Sequence, residues 1–302
     1  MRIGLGLNMN GTIDDVVERA RALASTGVAS LWASQLFGWD TLTALAVVGR
    51  EVPGVDLGTA VIPVHPRHPT MLAAQALTVQ GASGGRLSLG IGLSHQMVVE
   101  GMWGYSFERP VRYMSEYLSI LNALLNGERS DVDGELVRAH TLGPIEAAGA
   151  PPPPVLVAAL GPAMLRLAAQ RAAGTVTWMV GPQTLADHIV PKINAAADEA
   201  GNAAPRVVVT LPVCVTDDPA AAKTRAERIF AVYGQLPSYR AMLDREGAAS
   251  AADVAVVGSE SEVTAAVDRI EEAGATEFSA AVYGSKEEIE RTKSLFASLA
   301  TR

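Results

Sequence analysis

Two hydrophobic rhythms alternate along the chain. Short apolar runs occupy 2–7, 30–33, 56–62, 86–91, 155–159, 175–180, 206–215 and 277–282. Each has the length of a strand and too few polar positions for one face to meet water, the mark of strands buried on both sides in a parallel sheet. Between these runs, apolar residues recur at intervals of three and four. Thr12 precedes a stripe of Ile13, Val16, Val17, Ala20, Leu23 and Ala24, and Gly27 follows it. That spacing predicts a helix with one buried face, stopped by a glycine. A second stripe runs through Met114, Tyr117, Leu118, Leu121, Leu124 and Leu125 in a helix beginning at Arg109. Ser259 and Glu262 form a capping box ahead of Val263, Ala266, Val267 and Ile270. Further helices are predicted over 40–48, 69–80, 163–173, 183–200, 219–245 and 285–299.

Eight strands alternating with helices in 302 residues predict an α/β fold of the (β/α)8 TIM-barrel type, which typically occupies about 250 residues. The expectation is one domain over 1–302, with loop insertions at its C-terminal face. Turn signals at Asn126-Gly127 and Asp133-Gly134 mark the longest connection, and Pro151–Pro154 must be extended. A composition of 49% hydrophobic and 19% charged residues supplies a large core and excludes disorder. The formal charge of −8, without any basic block, argues against nucleic acid or an anionic membrane as a partner. No apolar run approaches the roughly 18 residues of a membrane span. The opening segment is too short for a signal peptide, so a cytoplasmic location is expected. The single cysteine, Cys214, lies between two valines and reads as a small buried hydrophobe.

Three apparent motifs fail on context. Gly4-Leu5-Gly6 and Gly90-Ile91-Gly92 lack the third glycine of a dinucleotide fingerprint, those positions being Met9 and His95. Gly81-Ala82-Ser83-Gly84-Gly85 has the letters of a hydrolase elbow, but a helix precedes it and a strand follows, the reverse of what the elbow requires. His65 and His68 are flanked by prolines, and an extended backbone at 3.3 Å per residue separates them by about 10 Å. Zinc needs both nitrogens at about 2.0–2.1 Å. No metal site is expected.

Function in such a barrel gathers where the strands end. Those ends carry Asn8, Ser34, Gln35, Val61, Ile62, Gly92 to His95, Ala159 to Gly161, Trp178, Met179 and Tyr283. The set is small and neutral, without the paired acids of a glycosidase or a metal-assisted hydrolase. It suits a flat, largely apolar ring. The segment from Ala159 to Met164 runs from a strand into a helix, and free N–H groups at such a terminus make an anion site. An ordinary capped turn fits the same letters.

Five segments, His65-Pro-Arg-His-Pro, residues 77–92, Arg109 to Tyr117, Val157 to Met164 and Gly174 to Met179, resemble the luciferase-like monooxygenase superfamily and, within it, the coenzyme F420-dependent oxidoreductases. The resemblance covers the barrel from the second strand through the sixth. It implies a cofactor ring against strands two to four and a phosphate at the loop after strand five. Gln35, Ala60, Val61 and Gly92 would then line the ring, and Ser94 and His95 would approach its side chain or phosphate. Gly161, Pro162, Ala163 and Met164 would form the phosphate-binding turn, Ala159 would also meet the cofactor, and Thr177 and Trp178 would close the site. His95 and Gln35 are the catalytic candidates: the first can exchange a proton near neutrality, whereas the second can orient a substrate but is no acid. Relatives often carry Asp-Gly where this chain has Ala173-Gly174, a difference expected to affect a turn. The implied function is hydride transfer between a deazaflavin, coenzyme F420, and a small organic substrate. The alternative is an FMN-dependent monooxygenase using reduced flavin and O2; a cofactor-carrying protein without turnover is a third reading. A homodimer is the assembly implied.

Overall fold

The structure, a computed structural model, describes residues 1–149 and 151–302. Eight parallel strands form its centre: β1 (Arg2–Gly6), β2 (Ser30–Ala33), β3 (Asp56–Thr59), β4 (Leu87–Gly92), β5 (Val155–Val157), β6 (Gly174–Trp178), β7 (Arg206–Val215) and β8 (Glu277–Val282). Each pairs with its sequence neighbours, and β8 pairs with both β7 and β1. The sheet is therefore closed, as the eight buried runs predict.

Around it lie α1 (Ile13–Ala24), α2 (Thr41–Glu51), α3 (Pro69–Ala82), α4 (Gln96–Gly101), α5 (Pro110–Leu125), α6 (Pro162–Arg171), α7 (Val190–Ala200), α8 (Pro219–Phe230), α9 (Pro237–Glu246), α10 (Glu260–Glu272) and α11 (Lys286–Leu299). The caps read from the sequence are formed. Thr12 and Asp15 make a reciprocal box before α1, as Ser259 and Glu262 do before α10. The predicted stripes of α1 and α5 face the barrel, with Val16, Ala20, Met114, Tyr117 and Leu121 buried.

Several elements differ from expectation. The third strand stops at Thr59 and resumes as Ile62–Pro63 against β4, with a cis peptide between Ala60 and Val61. The helix expected over 219–245 is two helices separated by a tight turn, Ala231–Gln235. Pro237 begins the second of them, where its missing N–H does no harm. Val256–Gly258 forms an additional strand beside Val213–Val215. Asp131–Asp133 and Arg138–His140 pair as a hairpin between α5 and β5. The buried carboxylate of Glu116 holds that hairpin, accepting from the N–H groups of Leu136 (2.8 Å) and Val137 (2.9 Å). Burial pushes this acid upward, but those donors and Arg112 prevail and leave it at about 2.

The barrel floor is polar and closed. Glu277, fully buried, accepts from the Trp32 indole N–H (2.7 Å), from the Ser30 hydroxyl and from Arg206 (2.9 Å). Arg206 also donates to Ser88 (2.9 Å). A buried charge is tolerable in this form, paired and with its lone pairs engaged. Above this floor the interior turns apolar through Trp32, Leu156, Val176 and Val208.

Candidate active site at the barrel mouth

Between β3 and β5 the mouth is made of backbone and small side chains. A Cβ on Gly90 would stand 1.9 Å from the Thr59 carbonyl oxygen, and one on Gly92 would stand 2.7 Å from the Val61 side chain. Thr59 locks this contact, its hydroxyl donating to the Gly90 carbonyl (2.7 Å) and accepting from the Gly90 N–H (2.8 Å). Ser34 donates to the Ala60 carbonyl (2.6 Å). Ala60, Val61, Gly92 and Ala158 thus come together as an apolar patch against the barrel interior.

Gln35 bonds within the loops around it. Its amide nitrogen donates to the carbonyls of Leu36 (3.0 Å) and Trp39 (3.3 Å), and its oxygen accepts from the Thr41 N–H (2.8 Å) and Arg67 (3.3 Å). Arg67 also pairs with Asp40. With both ends of the amide engaged, Gln35 fixes the β2–α2 loop. His65 and His68 have comparable supporting positions. His65 stacks on Tyr113 (4.4 Å between ring centres) and bonds the Leu93 carbonyl, while His68 caps α3 and bonds the Arg138 carbonyl. Tyr117 donates to the Arg67 carbonyl (2.8 Å). The two family-like segments at 65–69 and 109–117 thereby brace the loop that carries His95.

Ser94 adopts a left-handed backbone (φ 63°), a conformation uncommon outside glycine. The next residue, His95, precedes α4 with its ring 5.6 Å from that of Tyr239. No hydrogen bond within the described residues engages either ring nitrogen. Burial lowers its pKa from the ordinary 6.5, so the ring is neutral at pH 7 and able to accept a proton.

After β5, Gly161 stands in extended conformation at the start of α6 without a side-chain cap, and Pro162 is the first helical residue. The first helical bond runs from the Leu165 N–H to the Gly161 carbonyl. Among the described residues the N–H groups of Ala163 and Met164 have no partner, and the first turn carries no acid. Open space surrounds the Gly161 Cα. Met164 turns its side chain inward and offers only backbone. Ala159 is buried on the outer side of its strand, and His188 holds the Leu160 carbonyl at 2.8 Å.

The opposite wall, β6 to β8, has another character. Trp178 faces the interior, and strand alternation turns Thr177 toward the surrounding helices. Register aligns Thr210 with both Trp178 and Ser279. The hydroxyls of Thr210 and Ser279 and the indole N–H of Trp178 are buried without a hydrogen-bond partner. Tyr233 lies beside that indole with its ring edge-on (5.6 Å), lacking hydrogen-bond geometry. Phe230, Tyr233 and Tyr239 cover this side, Phe230 standing on Trp178 (5.8 Å) and Tyr233 on Tyr239 (5.2 Å). Thr210, Ser279 and this aromatic cover were not expected. Their signal was available: three aromatics within ten residues in a chain only 5% aromatic, and hydroxyls at inward positions of apolar strands.

This donor set fits a flat ring bearing an anionic side chain. The apolar floor accepts a ring face and the two free N–H groups of α6 accept a phosphate, while the three unpartnered polar atoms lie buried in the opposite wall. A profile of the luciferase-like monooxygenase family matches residues 1–277. A Mycobacterium tuberculosis protein named "Putative coenzyme F420-dependent oxidoreductase" is 30% identical over 261 residues, covering 77% of this chain and 72% of its own. Among solved structures, an F420-dependent secondary alcohol dehydrogenase in complex with an F420-acetone adduct superimposes with a TM-score of 0.81. It is 18% identical and covers 100% of this chain and 99% of its own. The oxygenating constituent of 3,6-diketocamphane monooxygenase from Pseudomonas putida, in complex with FMN, gives a TM-score of 0.76 at 19% identity, with 98% and 96% coverage. With a closed parallel barrel, a glycine-lined mouth and a profile match over most of its length, the chain belongs to the luciferase-like monooxygenase family.

Proposed function

We propose that the protein is a coenzyme F420-dependent oxidoreductase that transfers hydride between the deazaflavin and a small, uncharged organic substrate. The observation that carries this reading is the mouth itself: an apolar floor at Ala60, Val61 and Gly92 facing a wall of unpartnered neutral polar atoms. Preference for the deazaflavin is supported by the relationship to the mycobacterial F420-dependent oxidoreductase.

When bound, the deazaflavin supplies a carbon that gives or takes hydride and reacts poorly with oxygen. The chain supplies position, dryness and a proton path. The backbone N–H groups of Ala163 and Met164 hold the phosphate. Ala60, Val61 and Gly92 press against the ring face, and Trp178 with the aromatic cover excludes water from the other side. Thr210 and Ser279 donate to the substrate oxygen. Neutral His95 accepts the proton released when a hydroxyl is oxidised, or returns it in the opposite direction. Gln35 keeps its place as a loop-positioning residue.

The FMN-dependent monooxygenase reading draws on the likeness in fold to the diketocamphane enzyme. Titration with F420 and with FMN, followed by fluorescence, separates the two. Tight FMN binding without F420 binding, accompanied by oxygen consumption with reduced FMN, overturns the deazaflavin proposal. A homodimer in the cytoplasm is the corresponding proposal for assembly, tested by light scattering and cell fractionation.

A further inference from the structure

One buried histidine takes no part in the proposed chemistry. His188 is 2% exposed and lies in the helical run that leads into α7. That run opens into a π-turn over Leu185–Ile189, and the cause stands just beyond it. Pro191 has no N–H to give the Asp187 carbonyl four residues back, so the regular ladder breaks there. The wide turn carries the His188 ring to the β5–α6 loop, where it bonds the Leu160 carbonyl at 2.8 Å. A carbonyl only accepts, so Nε2 carries the ring proton and Nδ1 is bare. Among the described residues Nδ1 is buried without a partner, and burial lowers the pKa of the ring. His188 is therefore a neutral donor with one acceptor.

The peptide it holds is the hinge of the α6 start. Upstream, Ala159 is tied to Thr175, whose hydroxyl accepts from the Ala159 N–H at 3.3 Å. Downstream, the first bond of α6 ends on the Gly161 carbonyl. Between them, nothing else among the described residues engages the Leu160 carbonyl or the Gly161 N–H. A trans peptide points its C=O and N–H in opposite directions. A carbonyl drawn to buried His188 therefore sends the Gly161 N–H the other way, to the exposed side of Gly161. The free N–H groups of Ala163 and Met164 belong to the same helix start. Glycine also makes the reversed peptide accessible, because the positive φ it requires costs glycine little. In that orientation a carbonyl oxygen, a negative pole, would face the anion.

We propose that His188 is a positioning residue of the cofactor turn: its hydrogen bond locks the Leu160–Gly161 peptide so that the Gly161 N–H joins those of Ala163 and Met164 as a third donor to the phosphate. The inference rests on the phosphate placement at α6 and deepens it. His188 touches neither phosphate nor ring and acts through Leu160.

The readout is the gain in affinity that a phosphate confers, measured on the intact chain by fluorescence titration with two pairs of ligands. One pair is a deazaflavin ending at its ribityl phosphate and the same deazaflavin ending at its ribityl alcohol; the other is FMN and riboflavin. In His188→Leu the gain should fall roughly fivefold to tenfold, the worth of one neutral hydrogen bond, with the alcohol form binding as before. If the apolar variant does not fold, His188→Asn, whose amide falls short of Leu160, should show the same loss. His188→Gln can bring an amide N–H to the Leu160 carbonyl and should keep most of the gain. Adding Gly161→Ala to His188→Leu should restore part of it, because a Cβ there meets nothing in the present conformation but strains the reversed one. A gain unchanged in His188→Leu overturns the proposal. An equal loss for phosphate and alcohol forms, the result of a merely structural role, overturns it too, as does a His188→Gln variant as poor as His188→Leu. If the unmodified protein gains nothing from the phosphate in either pair, the phosphate placement falls and the role of His188 with it. If only the flavin pair binds, the deazaflavin reading falls, and the same comparison of variants on FMN and riboflavin decides for or against His188.

Discussion

On the β2–β4 side of the mouth, Ser34, Gln35, Thr59 and Arg67 all bond within the protein. On the β6–β8 side, Thr210, Ser279 and Trp178 are buried with polar atoms that bond nothing. Leaving such a group unsatisfied costs about 1–3 kcal/mol, so three neighbours of this kind form a costly arrangement. The first wall is finished by its own chain and can recognise only shape. The second carries polar atoms that its own chain leaves unused, and the proposed function assigns them to the substrate. The division matches a reaction between a flat ring and an uncharged substrate, one held by surface and the other by hydrogen bonds.

The finished wall should be the fragile one. Gly90→Ala would drive a Cβ into the Thr59 carbonyl oxygen, a backbone atom that cannot step aside. A loss of about 3 kcal/mol or more is expected, read as a large fall in thermal midpoint. Full retention of stability would mean that β3 and β4 are not held together here as described.

His95 stands between the walls, carried by the β4 loop and facing Tyr239. His95→Gln should lower turnover by about a hundredfold to ten-thousandfold, the usual range for a lost proton acceptor, with cofactor affinity little changed. Burial favours the neutral ring, and its pKa lies below 6.5. Substrate oxidation should therefore be flat across neutrality and decline only as the pH falls through that lower value. The acid limb should disappear in the variant. An unchanged profile would remove His95 from the chemistry.

Thr59→Val deletes a hydroxyl that both donates to and accepts from Gly90. About 2 kcal/mol of stability should be lost, because two backbone groups are left without partners. Denaturant unfolding measures it.

The barrel itself was legible in the sequence, because eight predominantly apolar runs alternating with helices leave few alternatives to a closed parallel sheet. The break at Ala60-Val61 was not, since an apolar run reads the same whether the backbone continues or turns. The break between α8 and α9 had a signal in Pro237, which the single helix expected over 219–245 ran through. Within the candidate site, the close glycine contacts and the uncapped α6 start could be read directly, as both follow from missing side chains and missing partners. Gln35 could not, because Thr41, Trp39 and Arg67 meet it only once the loops are folded. Thr210 and Ser279 were readable in principle: a hydroxyl at an inward position of a strand as apolar as 206–215 has to answer to something.

That last point supplies the smallest effect on stability and the sharpest contrast with Thr59. Thr210→Val and Ser279→Ala remove hydroxyls that bond nothing in the protein. Replacing an unsatisfied polar group by an apolar one of similar shape is neutral or stabilising. Each variant should therefore unfold within about 0.5 kcal/mol of the parent or slightly above it. The cost should appear on the ligand instead, as a KM raised roughly fivefold to tenfold, the worth of one hydrogen bond of about 1 kcal/mol or slightly more. The same chemical change, hydroxyl to methyl, would then weaken folding on one wall and substrate binding on the other. A Thr210→Val variant that loses as much stability as Thr59→Val would show that its hydroxyl serves the fold, and the distinction between the walls would fall.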